Sequence, residues 1–77
     1  MKILHILREM DERVFNIIKG MEGDNIILFI HDAVYHNNPD SLYCKDDIEA
    51  RGLNRKNIID YNGIVNLIFE VDKVINW

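Results

Sequence analysis

The alternation of strand-like and helix-like segments predicts a small α/β domain, three layers deep in α/β/α order, around a mostly parallel sheet of four to five strands. Three observations carry that expectation. Lys2 to Leu7 (KILHIL) and Ile26 to Ile30 (IILFI) are apolar on both faces, as strands covered on both sides must be. The segments after them switch to helical spacing. The whole chain is 77 residues, which leaves room for one core and no more, so residues 1–77 form a single domain.

The elements follow in order. After the KILHIL strand, Met10, Val14, Ile17 and Ile18 stand at i, i+4, i+7 and i+8, which predicts one face of a helix from Glu9 to Lys19. Gly20 closes it, and Glu22-Gly23-Asp24-Asn25 reads as a turn. The run Ile26 to Ile30 is mostly β-branched and predicts a centre strand. From Asp32 to Asp40 there is space for about one helical turn and a turn at Asn-Asn-Pro. Ser41 to Cys44 reads as a short third strand, and Asp46 to Arg51 as a helix ended by Gly52. Asn57 to Tyr61 predicts a fourth strand. Asn62 is the expected cap of a helix from Gly63 to Val71 with Ile64, Leu67, Ile68 and Val71 on its apolar face. Val74 to Trp77 is the expected fifth strand.

Composition narrows the function classes. A hydrophobic fraction of 48% is too high for a disordered chain. The longest apolar run, Ile26 to Ile30, is far below the ~20 residues that cross a bilayer, so no membrane association is expected. Cys44 is the only cysteine and has no partner for an internal disulfide. His5, Arg8 and Glu9 interrupt anything resembling a secretory leader, so a cytoplasmic protein with a reduced thiol is expected. The net charge is -4, and the one basic cluster, Arg51, Arg55 and Lys56, is small. Direct tight binding to nucleic acid is therefore not expected, because phosphate neutralisation supplies most of that affinity. A domain this small, without staples, gains burial naturally by oligomerising.

Open parallel sheets bind ligands outside the carboxyl ends of their strands. Three groups are expected there: His31-Asp32, Cys44 and Asp60-Tyr61. Cys44 stands out, because a thiol between a strand end and a helix start feels the positive end of the helix dipole. Lys45 favours its thiolate, while Asp46 and Asp47 oppose it by like charge. A free cysteine is equally at home as a small buried hydrophobe. His31, Asp32 and His36, with His5, match no dedicated metal spacing, and no metal or cofactor is expected. No glycine-rich phosphate loop precedes a helix. Trp77 is either tucked onto the core or offered to a partner.

Several of these segments, in this order, resemble the DsrH/TusB family of sulfur-relay proteins, within the DsrE/DsrF/DsrH-like superfamily. KILHIL is similar to its first strand, and Ile27 to Val34 (ILFIHDAV) to its second strand and following turn. Leu42 to Leu53 (LYCKDDIEARGL) resembles its most distinctive stretch, a Tyr-Ala-Leu-x-Glu-Asp-Leu-x-Ala-Arg-Gly-Leu type run. Ile59 to Val65 (IDYNGIV) is similar to its Ile-Asp-Tyr region, and Trp77 to its frequent terminal tryptophan. The resemblance implies a three-layer α/β/α fold and assembly with DsrE/TusD-like and DsrF/TusC-like proteins, or self-assembly. It implies a part in persulfide sulfur transfer, toward 2-thiolation of the wobble uridine of tRNA or, in the Dsr branch, sulfur oxidation. Such a protein is a sulfur carrier or sulfurtransferase subunit rather than a stand-alone enzyme. Many family members have no cysteine at the position of Cys44. In the sister DsrE/TusD-like proteins the active cysteine ends the third strand, eight residues before a helix-ending glycine, as Cys44 precedes Gly52. Cys44 is thus the candidate persulfide carrier, with His31 and Lys45 as modulators of its protonation. The alternative is a non-catalytic subunit that scaffolds its partners.

Overall fold

The computed structural model describes residues 1–77. Five strands form one all-parallel sheet: β1 (Lys2–Leu7), β2 (Asp24–Phe29), β3 (Leu42–Cys44), β4 (Ile58–Ile59) and β5 (Lys73–Asn76), in the order β4-β3-β2-β1-β5. The helices are α1 (Glu12–Lys19), α2 (Lys45–Ala50) and α3 (Tyr61–Glu70), with a 3₁₀ segment at His31–Tyr35. β2 is the middle strand, as its unbroken apolar run predicts.

Parallel crossovers are right-handed, so the direction of travel sets the face each helix covers. The chain steps one way from β1 to β4, which puts α1, the 3₁₀ segment and α2 on one face. It then returns across the sheet from β4 to β5, which puts α3 on the other. Side-chain alternation agrees. Leu7, Phe29 and Tyr43 share the first face and enclose a core with Phe15, Ile18, Ala33, Val34 and Ile48. Leu4 and Leu28 face the second side and are buried there.

Several boundaries differ from those expected, each for a local reason. α1 starts at Glu12 rather than Glu9, because Asp11 is its cap and accepts the Arg13 N–H at 2.9 Å. Met10 therefore lies outside the helix, and the buried face rotates to Phe15 and Ile18, leaving Ile17 54% exposed. β4 is two residues long instead of five, because Asp60 leaves the strand to cap α3. Its Oδ1 accepts the Gly63 N–H at 2.8 Å, so the cap is Asp60 and not Asn62. Gly63 also lets the first turn of α3 press on the sheet edge, since a Cβ there would come within 2.5 Å of Ile59 Cγ1. Gly52, at φ 63°, ends the α2 region in the left-handed conformation that glycine adopts freely. The β2–β3 crossover, expected to hold about one helical turn, holds the five-residue 3₁₀ segment.

Candidate functional site

The carboxyl ends of β2 and β3 bring His31, Cys44 and Asp47 together. Cys44 ends β3 and is the residue before the first turn of α2. Its side chain is partly exposed and makes no capping hydrogen bond. Burial, the largest influence, pushes the Cys44 thiol above its ordinary pKa. The backbone amides of Asp47 and Asp46 pull it down, and the Asp47 carboxylate pushes it up again. The thiol form prevails, so the expected activation by the helix start is outweighed. Lys45 does not reverse this. Its Nζ lies 3.9 Å from Glu49 Oε1, one turn along α2.

Asp47 is the hub of the cluster. Its Oδ1 stands 3.9 Å from His31 Nδ1 and 3.3 Å from Arg51 Nη1. Burial pushes the Asp47 carboxyl up, but the His31 amide, the Cys44 thiol and the charges of His31 and Arg51 together hold it below the usual carboxylate range. Arg51 reaches across to Asp32 as well, Nη2 to Oδ1 at 3.1 Å, and so ties α2 to the 3₁₀ segment. His31 sits at φ 50°, a left-handed conformation that costs a residue with a Cβ about 1–2 kcal/mol. The i, i+4 spacing of Asp47 and Arg51 is visible in sequence. The Asp32–Arg51 link, 19 residues apart, is not. Beside this cluster, Arg8, Glu9, His31, Asp32 and Arg51 line an open, wholly polar hollow of about 260 Å³.

Asp60 and Tyr61 follow Ile59, the β4 partner of Cys44, and so stand at the same end of the sheet; the remaining candidates lie elsewhere. Asp60 serves as the α3 cap, and Tyr61 is 73% exposed at the start of that helix. His36 packs against the rings of Phe15 and Phe29 at centroid distances of 5.9 and 5.8 Å. His5 is fully buried in the middle of β1. Its Nδ1 accepts the Trp77 Nε1–H at 3.0 Å, because an indole only donates. The ring proton therefore resides on Nε2 and is donated to Asn25 Oδ1 at 2.9 Å. His5 and His36 thus do structural work while His31 belongs to the Asp47 cluster, and no group of three or more His, Cys, Asp or Glu side chains converges to hold a metal. Trp77 is anchored through His5 and is 41% exposed.

No protein-family model matches the chain, and no curated protein matches it significantly. No helix is long and apolar enough to cross a membrane.

Proposed function

We propose that this protein is a sulfur-relay subunit of the DsrH/TusB kind, which takes persulfide sulfur onto Cys44 and passes it on toward 2-thiolation of the wobble uridine of tRNA. The observation that supports this best is the placement of Cys44: a partly exposed thiol at the carboxyl end of β3, facing the first amides of α2. In the transfer, the Cys44 sulfur attacks the terminal sulfur of a donor persulfide. A new S–S bond forms on Cys44, the donor S–S bond breaks, and the donor leaves as a thiol. The Cys44 proton balances that leaving group, so no net oxidation occurs. A persulfide is a stronger acid than a thiol, so the amides of Asp46 and Asp47 stabilise the loaded form more than the empty one.

The raised thiol pKa limits uptake at neutral pH, so a partner or the donor itself must draw the proton away. This suits a subunit that works within an assembly with DsrE/TusD-like and DsrF/TusC-like proteins or with further copies of itself. The net charge of -4 argues against this chain gripping tRNA alone. A second reading, the non-catalytic scaffold, is favoured by α3, whose Ile68 and Phe69 stay exposed. The two separate on intact mass after exposure to a cysteine desulfurase and its substrate, with Cys44→Ser alongside. Sulfur carriage predicts the gain of one sulfur atom in the wild type only, removed by a reductant. No gain in either protein would leave the scaffold.

A further inference from the structure

A second site lies at the amino ends of β3 and β4, away from Cys44. The segments leading into those two strands, Asn37 to Asp40 and Asn54 to Asn57, run side by side and are joined by the Asn57 side-chain amide donating to the Pro39 carbonyl. Between them is an open cavity of about 540 Å³, lined by Asn37, Pro39, Tyr43, Asn54, Arg55 and Lys56. That volume falls in the range of about 300–1,000 Å³ in which small molecules bind.

The lining holds two cations and no carboxylate, in a chain that carries an excess of acids. Neither Arg55 nor Lys56 enters any ion pair. Arg55 is held in place: Nη1 donates to the Asn54 carbonyl at 2.7 Å and Nη2 to the Tyr35 carbonyl at 3.0 Å. Its guanidinium lies 5.5 Å over the Tyr43 ring, a cation–π contact that fixes its plane. The Tyr43 hydroxyl is fixed in turn, donating to the His36 carbonyl and accepting the Asn38 N–H, both at 2.6 Å. These bonds use two of the five guanidinium N–H donors, and one on each Nη is left for a further acceptor.

From these features we infer that the cavity binds a small organic phosphate. Its oxyanion lies between Arg55 and Lys56 with the Asn37 and Asn54 amides at the rim, and its organic part lies against Pro39 and Tyr43. A guanidinium pre-set in one plane suits the geometry of a phosphate, and the ammonium adds a point charge. A polynucleotide is the poorer match, because two cations on an acidic chain neutralise too little of a phosphate backbone. This inference stands apart from the role of Cys44.

The test is a titration of the ¹⁵N-labelled protein, followed by amide shifts, at constant ionic strength in chloride. The probes are ribose 5-phosphate, inorganic phosphate and a short RNA oligonucleotide. The expected result is a saturable response centred on Asn37, Asn54, Arg55 and Lys56, with ribose 5-phosphate binding tighter than inorganic phosphate. Lys56→Gln, an exposed position with no structural hydrogen bond, should weaken it roughly tenfold without disturbing the fold. Arg55→Lys should weaken it too while keeping the charge. The inference is overturned by no saturable response at millimolar probe, by Lys56→Gln binding as the wild type does, by equal binding of the two phosphates, or by a response to RNA alone.

Discussion

The two faces of the sheet are built to different standards. On the first, α1, the 3₁₀ segment and α2 close over Leu7, Phe29 and Tyr43, and eight residues form one buried cluster. On the second, α3 crosses the sheet alone and has no buried residue of its own. Its apolar residues Ile64, Val65 and Leu67, and Val71 just beyond its end, are half-covered, while Phe69 is 83% exposed. Three elements cover one face and one covers the other, because the β4–β5 return is the only crossover running that way. The monomer's stability therefore resides mainly in the first face, and the second keeps apolar surface in reserve.

The largest expected effect breaks the first face. Phe29→Ala removes a fully buried ring and should cost about 3–5 kcal/mol, enough to unfold most of so small a domain. Urea denaturation gives the value, and a cost below that of an ordinary surface change would refute the assignment of the core. Asp60→Ala addresses the second face through the cap of α3. A loss of about 1 kcal/mol is expected, and Asn62→Ala should do much less. The smallest effect sharpens the contrast: Phe69→Ser should change monomer stability by no more than about 0.5 kcal/mol, while lowering any self-association seen by sedimentation.

The site adds a pH dependence of defined sign. The Asp47 carboxyl is held below its ordinary pKa, so its contribution to stability is complete above the unfolded value of about 3.9 and is lost as the pH falls through the folded value. Urea midpoints measured from neutral pH into the acid range should fall less steeply for Asp47→Asn than for the wild type. Parallel curves would show that Asp47 is not the hub described.

Much of this architecture was legible in the chain. The apolar residues on both faces of β1 and the unbroken apolar run of β2 need cover on both sides, and that points to a parallel α/β sheet. The carboxyl-end position of Cys44 follows from strand three ending before two acids that start a helix. Boundaries were less legible wherever an aspartate had two uses. Asp11 and Asp60 each fit inside the neighbouring element by pattern, and each proved to be a cap. The electrostatics of the site were only half legible. Repulsion between Asp47 and Cys44 is visible from their spacing, but the dominant burial of the thiol is a tertiary fact. So is the pairing of Lys45 with Glu49 rather than with the thiol. The His5–Trp77 hydrogen bond, which spans 72 residues, leaves no local trace in the sequence at all.

Cys44 is partly exposed in the folded protein, and burial and Asp47 favour its thiol form. The most direct measurement is the rate of alkylation of the folded protein by a small reagent as a function of pH, in the wild type and in Asp47→Asn. Complete modification without unfolding is expected, with a midpoint above the value of about 8.5 for a free cysteine and a lower midpoint in Asp47→Asn. Modification that waits for unfolding, or a wild-type midpoint below that of a free cysteine, would contradict it.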